Sequence, residues 1–502
     1  MKKYLIPTLI LLASCSNFQS EKEKNVLKSN YPEKHGFDSK ILSELVKVVK
    51  NENINVNSIL IQRNNTTIFN TSFYPQKAEY KHDVASITKS ITSLLVGISI
   101  DKGYIESVDQ KISDFFPNNK SLFNTEYKKK ITIEHLLTMT SGICSDFSQG
   151  ENLRESIKTS RFPLTDMLVS RLSNKPGEKF TYCSAGVQLL SIIIQKSSKM
   201  TMEELAKKYL FQPLKIENYK FGTDLSGFTN ASGDIFLTSS DLAKLGQLIL
   251  NKGIFNNNQI VSKKWIEQST STKNTGSNEE SYGYLWWLRN DLGGLIEAQG
   301  RGGQRLIVLP EKKLVIVMYG TGFDPGQIGE YIVKALKSDK PIAQNVKNYQ
   351  LLQKEIEQAQ NPTLENNDIL ISSKANEICN KTYKFEPNSI GFEYFTICAK
   401  NTDSAYINLG LNIKKSNEVG DRKVPLGLKG KYIISNATRF KTPMAARAKW
   451  IDNYTIVIDY NEFSNAHKYV ITVKFERDEA VFILKDEADY GNETRLFAKT
   501  VK

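Results

Sequence analysis

The stretch "HDVASITKSITSLLVG", residues 82–97, decides how this chain is read. Small residues approach a serine, Ser86, a lysine, Lys89, follows three places later, and an apolar run comes after it. Two readings compete. Either Ser86 is a nucleophile at the head of a buried helix with Lys89 as its partner, or this is an ordinary amphipathic helix that begins Ser-Ile-Thr-Lys. Three residues apart on a helix, both side chains lie on one face within reach of each other. A serine hydroxyl is a weak nucleophile that needs a proton acceptor. Lysine serves when burial or neighbouring cations lower its pKa. A helix N-terminus adds backbone N–H groups where an oxyanion would form. The spacing alone decides nothing, because Ser99-Ile-Asp-Lys102 repeats it a few residues on and is expected to be a surface accident.

Working outward, two further stretches join the first. In "PGEKFTYCSAGVQLLSIII", residues 176–194, Tyr182 lies between a Pro-Gly turn and an apolar helix, with Ser184 two places later. A phenol beside an ammonium loses its proton more easily, so Tyr182 is a candidate base or proton shuttle. Ser184 is a candidate hydrogen-bonding group of the pocket or, on the plainer reading, a helix N-cap. In "EAQGRGGQRLIVLPEKKLVIV", residues 297–317, glycines at 300, 302 and 303 lead into a strand. Glycine there allows an edge strand to approach a ligand so that its N–H groups pair with it. Trp286 and Trp287 have apolar neighbours; one of them, with Trp287 the candidate, lines the cleft, or both pack in the core.

The surrounding pattern gives the architecture. "DSKILSELVKVVKN" has helical apolar spacing behind an N-cap at Asp38, and "VNSILIQRNNTTIFNTSF" reads as a hairpin around its Arg-Asn-Asn-Thr. "TIEHLLTMTSG" reads as a helix with a glycine stop, "TMEELAKKYLFQPL" as a helix ended by Pro213, and "TSSDLAKLGQLILNKG" as one capped by Ser or Asp and ended by Gly253. Strands at both ends of a block of helices predict an α/β (α+β) sandwich, not alternating βαβ units. Residues 345–361 read as a polar linker helix; beyond Pro362, alternating segments such as "YTIVIDYNE" and "HKYVITVKFE" predict an antiparallel β domain, barrel-like or open.

The 502 residues allow two or three domains, and 40% hydrophobic with 24% charged residues indicates a folded protein. The formal charge of +13 suits anionic surroundings such as a membrane surface or cell-wall polymer. The lysines are spread along the chain with no concentrated basic stripe, which argues against a nucleic-acid partner. "MKKYLIPTLILLASC" has a charged start, a short apolar stretch and small residues before Cys15, the pattern of a secretory signal too short to span a bilayer. Leu12-Ala13-Ser14-Cys15 resembles the lipobox of bacterial lipoproteins, which implies cleavage before Cys15 and lipidation of its residue. Multiple acyl chains anchor firmly, so the chain is expected to be exported and held on a membrane surface by a polar tether. Of the other cysteines, Cys379 and Cys398 share one β-rich region and could pair; Cys144 and Cys183 complete a set of four with three possible connectivities. The four histidines are widely separated and no metal-ligand spacing occurs. Neither a metal nor a cofactor is expected.

Taken in order, "ASITKSITSLLVG", "ITIEHLLTMTSGI", "PGEKFTYCSAGVQLLSIII", "LTSSDLAKLGQLILNKG", "YGYLWW" and "GRGGQRLIVLPEKKLVIV" resemble blocks of the serine β-lactamase and penicillin-binding protein superfamily, in particular its class C-like branch of esterases, D-amino-acid peptidases and 6-aminohexanoate-oligomer hydrolases. The resemblance covers about residues 36–335. It implies a β-lactamase/transpeptidase-like antiparallel sheet sandwiched by helices, with an all-helical region. The expected division is a signal segment 1–14, a tether 15–35, a hydrolase domain 36–340, a linker helix 341–364 and a C-terminal β domain 365–502. Carried over, Ser86 resembles the acylated nucleophile, Lys89 its activating partner, and Tyr182 the group that passes a proton to the leaving group. The N–H groups of Ser86 and Arg301 would form the oxyanion hole, with Ser184, Gly300, Gly302 and Trp287 near the substrate. That mechanism needs no histidine, so His82 and His135 are expected to be structural, as is Cys183.

Two departures matter. Tyr182-Cys183-Ser184 stands where Tyr-x-Asn is usual, a variant similar to the oligomer-hydrolase and esterase branch. Ala298-Gln299-Gly300 lacks the cation of the third motif, with which many relatives orient a β-lactam carboxylate; Arg301 is the nearest substitute charge. Met139 stands where histidine is common and is expected to be packing. The resemblance therefore implies a serine hydrolase for a small ester, an amide or a peptide, not an efficient β-lactamase. The alternative is a non-catalytic surface lipoprotein that binds cell-wall or peptide ligands.

Overall fold

The computed structural model describes residues 31–276, 280–363, 371–379, 381–401, 404–413, 418–487 and 492–501. Cys15, the signal segment and most of the tether lie outside the described residues. The folded body begins earlier than position 36: Pro32–His35 forms a 3-10 turn and Tyr31 beside it is buried.

Helix α1 (Ser39–Asn51) starts where Asp38 accepts the Lys40 N–H at 2.8 Å. Its buried positions Leu42, Leu45, Val46 and Val49 recur at helical spacing and form one stripe. The hairpin of β1 (Val56–Arg63) and β2 (Thr66–Ser72) follows. Six later strands complete an eight-stranded sheet: β3 (Asn274–Thr275), β4 (Ser281–Tyr282), β5 (Trp287–Arg289), β6 (Leu295–Gly300), β7 (Gln304–Leu309) and β8 (Leu314–Gly320). The order is β2-β1-β8-β7-β6-β5-β4-β3, with every pair antiparallel.

Side-chain alternation along a strand sends successive residues to opposite faces. In β8, Leu314, Ile316 and Met318 join the core shared with α1, α6 (Pro325–Ala335) and α7 (Val346–Gln360). Val315, Val317 and Tyr319 join the larger core on the other side, with α2 (Ile87–Asp101), α4 (Ser184–Ser198) and α5 (Ser239–Leu250). The sheet is thus covered on both faces. Helix α2 is buried all round from Ile87 to Ser99, which is the condition for an apolar central helix. Ser99 is therefore not at the surface: its hydroxyl donates to the Leu95 carbonyl at 2.8 Å, while Lys102 is exposed. The second Ser-x-x-Lys is split between core and solvent.

Three local expectations shift. The helix in "TIEHLLTMTSG" is only Ile133–Leu137 and ends well before Gly142; Thr132 and His135 cap it reciprocally. The cap of α5 is Thr238, whose hydroxyl accepts the Asp241 N–H at 3.1 Å. Helix α7 is not a free linker: Leu352 and Ala359, seven apart, reach the core against α1, and Lys50 donates to Glu355 at 3.1 Å.

The C-terminal domain is a second sheet of ten strands: β9 (Thr382–Phe385), β10 (Phe392–Cys398), β11 (Tyr406–Ile413), β12 (Glu418–Pro425), β13 (Ile433–Ser435), β14 (Met444–Trp450), β15 (Thr455–Glu462), β16 (His467–Glu476), β17 (Glu479–Asp486) and β18 (Glu493–Thr500). The order β12-β11-β10-β9-β18-β17-β16-β15-β14-β13 puts the consecutive strands β12 and β13 at its two edges. Gly427, just past β12, bonds to Ala446 and Ala448 of β14, so the sheet curls towards closure around one apolar core. Cys379 and Cys398 are disulfide-bonded there. The two bodies touch: Tyr80 stacks on Phe463 at 5.8 Å, Phe236 meets Phe440 at 5.1 Å, and Lys468 donates to Asn55 at 2.8 Å. Among the described residues no helix is long and apolar enough to cross a membrane.

Candidate active site

The short strand His82–Asp83 ends in a tight approach to α2. Ala85 is held at φ +49°, a left-handed conformation that an alanine rarely adopts. The buried Asp83 carboxylate fixes it by accepting the Ala85 N–H at 2.8 Å. Strain of this kind persists only where the surroundings impose it, and it occurs often at functional sites. Ser86 is the N-cap of α2, so its hydroxyl stands at the positive end of a buried helix.

Lys89 lies one turn on and is buried. Its Nζ is 2.9 Å from Ser86 Oγ and donates to the Ser232 carbonyl at 2.8 Å. Burial brings the Lys89 pKa down from the usual lysine range to about 7, with Glu151 and Asp234 opposing and Arg154 and Lys158 assisting. Near neutrality Lys89 is therefore uncharged in a large fraction of molecules, the form that accepts a proton.

Tyr182 reaches the same point from the loop before α4. Its ring lies 4.9 Å from Lys89 Nζ and is stacked on Trp287, 6.3 Å away at 13°. The phenol hydrogen-bonds Ser86, but burial dominates and holds its pKa above the usual tyrosine range. The expectation that a nearby ammonium eases its ionisation is therefore reversed. Tyr182 stays a protonated donor. Cys183, which caps α4, is disulfide-bonded to Cys144 and so holds the backbone next to Tyr182; Met139 Sδ accepts the Cys183 N–H at 3.4 Å, the packing role expected of it.

The glycine-rich stretch is positioned by β6. This strand is interior, not an edge, but β5 pairs with it only over Leu295–Glu297, so Ala298–Gly300 continues past its neighbour. A Cβ on Gly300 would come within 2.6 Å of the Val84 carbonyl and 3.2 Å of the Ala85 Cβ. Only glycine allows β6 to lie this close to the backbone entering Ser86. Arg301 follows in a 3-10 turn, Arg301–Gly303, in which Gly302 has φ +80°. Buried Gln304 braces the turn, donating to the Arg301 carbonyl at 2.8 Å and the Gly320 carbonyl at 2.7 Å. The Arg301 guanidinium donates to His467 of the β domain at 3.0 Å. The cation suggested as a substitute for the third-motif lysine is thus engaged with the second domain. Gly302 faces Ala466 of that domain, 3.5 Å from where its Cβ would stand.

Ser184 is the first residue of α4, not its cap, and is fully buried; its hydroxyl donates to Glu151. Trp286 and Trp287 are both buried, and Trp287 serves as the backing plate of Tyr182. His82 is structural, bonded to Asn57 at 3.0 Å and stacked on Tyr319.

A charged network behind Lys89 was not foreseen. It is built from α3 (Phe147–Lys158) and the Asn230–Asp234 turn. Arg154 donates to Ser232 Oγ at 3.1 Å and pairs with Glu155 at 2.7 Å, Asp234 at 3.6 Å and Glu151 at 3.7 Å; Lys158 pairs with Asp234 at 3.4 Å. Burial raises the Asp234 pKa, but Lys158 and Arg154 outweigh it and hold the carboxyl low; Asp83, buried beside Asp234, is pushed up. Among the described residues no cluster of metal-ligating side chains occurs.

Comparison with known proteins agrees with this arrangement. The family model described as Beta-lactamase matches residues 45–336, more than half of the chain. The 6-aminohexanoate-dimer hydrolase of Paenarthrobacter ureafaciens is 27% identical over 276 residues, which cover 49% of this chain and 67% of that protein. Protein flp of Staphylococcus aureus strain MW2 is 27% identical over 186 residues, 34% of this chain and 37% of that one. Among solved structures, a putative beta-lactamase from Bacteroides dorei has a TM-score of 0.50 at 16% identity, covering 60% of this chain and all of the other; at that identity the likeness concerns the fold. The chain is a member of the beta-lactamase family and a serine hydrolase.

Proposed function

We propose that the protein hydrolyses an ester or amide through an acyl-enzyme on Ser86. One observation carries this: Ser86 Oγ lies 2.9 Å from the Nζ of a buried lysine whose pKa is about 7. Neutral Lys89 takes the Ser86 proton as Oγ attacks the substrate carbonyl. The tetrahedral oxyanion is received by the N–H groups of Ser86 and Arg301. Tyr182 then gives its proton to the departing alcohol or amine and recovers one from the Lys89 ammonium. Water enters, loses a proton to Lys89 and frees the acid, returning Ser86 its proton. The relatives named as a 6-aminohexanoate-dimer hydrolase and as EstCE1, a hydrolase with promiscuous acyltransferase activity, support the ester and amide class. The third motif, Ala298-Gln299-Gly300, carries no cation of its own, and Arg301 beside it donates to His467, which supports a substrate other than a β-lactam. A fluorophosphonate probe should label wild-type protein and not Ser86→Ala, and p-nitrophenyl ester turnover should vanish in that variant. Unlabelled wild type with no ester turnover above the Ser86→Ala background would reject the acyl-enzyme and leave a non-catalytic binding protein as the reading.

We further propose that the mature chain is exported and lipid-anchored at Cys15. The two disulfides support an oxidising compartment. Cys15→Ala should move the protein from the membrane to the soluble fraction; retention in the membrane would reject the anchor.

A further inference from the structure

A cleft of about 630 Å³ opens between the hydrolase body and the β domain. None of Ser86, Lys89 and Tyr182 lines it. Its walls come from Lys158 at the end of α3 and Thr223–Leu225 on one side, and from β11, β12 and the loop 436–441 on the other. Five cationic side chains and two carboxylates face it, so its field is positive.

Both carboxylates already accept hydrogen bonds from the protein. Asp224 accepts the N–H groups of Ser226 at 3.0 Å and Phe228 at 2.9 Å, and Asp421 accepts the Tyr394 hydroxyl. Of the cations, Arg422 is paired with Glu462 at 2.7 Å and Lys158 with Asp234 and Glu155. Arg439, Lys441 and Lys423 supply the remaining charge. Positive charge crowds here enough to be felt by a neighbour: burial, then Lys81 and Lys441, lower the Lys220 pKa.

The cations are also held in place. Phe440, between Arg439 and Lys441, packs on Phe236 at 5.1 Å, and its carbonyl accepts from Lys220. Thr438 and Thr442, both buried, close the loop through their hydroxyls at 2.9 Å. A Phe440 anchor carrying a stacked Arg439 on one side and an exposed Lys441 on the other is preorganised, so little ordering entropy is lost when an anion binds. The size is that of a site for a small-molecule ligand.

We propose that this cleft binds a multiply charged oxyanion ligand, one carrying two or more phosphate or carboxylate groups, through Arg439, Lys441 and Lys423. The reading is independent of Ser86 chemistry.

The test is calorimetric titration of the full chain with sodium tripolyphosphate and, separately, with poly-L-glutamate. At least one should bind saturably and weaken markedly as salt is raised, because exposed charges are screened. Preference for the first assigns phosphate, and preference for the second assigns carboxylate. Arg439→Ala/Lys441→Ala should weaken binding at least tenfold, and the single exposed change Lys441→Gln should weaken it several-fold with an unchanged melting temperature. Lys374→Ala, outside the cleft, should bind as wild type does. Binding of neither probe, or equal binding by Lys441→Gln, the double variant and wild type, would overturn the proposal.

Discussion

Lys89 sets the pH dependence. Its pKa is lowered to about 7, so below that pH the folded protein carries an ammonium that has no lone pair to accept the Ser86 proton. For ester hydrolysis, kcat/KM should rise about tenfold per pH unit on the acid side, level off above an apparent pKa near 7, and stay level into the range where an ordinary lysine would still be charged. A flat profile from pH 5 to 9 would remove Lys89 as the base. Lys89→Met should cut kcat by about 10²–10⁴-fold, the usual share of a positioned base. Glu151 is a positioning residue: Ser184 is buried and donates to it. Glu151→Ala leaves that hydroxyl without an acceptor, at a cost of about 1–3 kcal/mol. It should lower the melting temperature, whereas Glu151→Gln, which keeps an acceptor, should restore most of it. Ser86, Lys89 and Tyr182 were legible because their logic is local, a spacing and a turn beside an apolar helix. Glu151, Arg154 and Asp234 were not, because charges on α3 read as a solvated face until the Asn230–Asp234 turn is folded against them.

The loop and helix that carry Tyr182 are tied to a neighbouring segment by the Cys144–Cys183 disulfide. The bond closes a loop of 39 residues in sequence separation, and cross-links of this kind contribute about 2–4 kcal/mol, with the mechanism dependent on the model used. Cys144→Ser should therefore lower the melting temperature in non-reducing buffer, and dithiothreitol, which reduces Cys379–Cys398 in both proteins, should close the gap between wild type and the variant. Because Cys183 adjoins Tyr182, ester kcat should fall along with stability. Unchanged kcat in a folded variant would mean that stacking on Trp287 alone holds the phenol. Element types were mostly legible, as the alternation in β8 and the stripe of α1 show, because each depends on its own period. Pairing was harder. That α7 docks on α1 follows from contacts made hundreds of residues apart, such as Lys50 with Glu355, and that β6 is interior follows from its pairing on both sides, with β5 and β7.

Across the whole molecule, the β domain packs against the Arg301–Gly303 turn. Its existence was legible from alternation after Pro362; its docking was not, since the contacts come from scattered single residues: Phe440, Phe463, His467 and Lys468. His467 is buried, and burial together with Arg301 lowers its pKa to about 3, so it is neutral at working pH and accepts from the Arg301 guanidinium. That contact and the facing of Gly302 on Ala466 hold the outside of the turn that Gln304 holds from within. Two substitutions separate support from mere attachment. Phe463 is fully buried, so Phe463→Ala should cost about 3–5 kcal/mol, as large-to-small core changes do, and should lower the melting temperature and the rate together. His467→Ala removes the acceptor for Arg301 and a ring stacked on Tyr469. It should lower the melting temperature less than Phe463→Ala does and reduce kcat for a p-nitrophenyl ester several-fold with little change in KM, because an oxyanion donor acts in the transition state and not in ground-state binding. If His467→Ala keeps wild-type kcat, the Arg301–His467 contact has no part in positioning the turn.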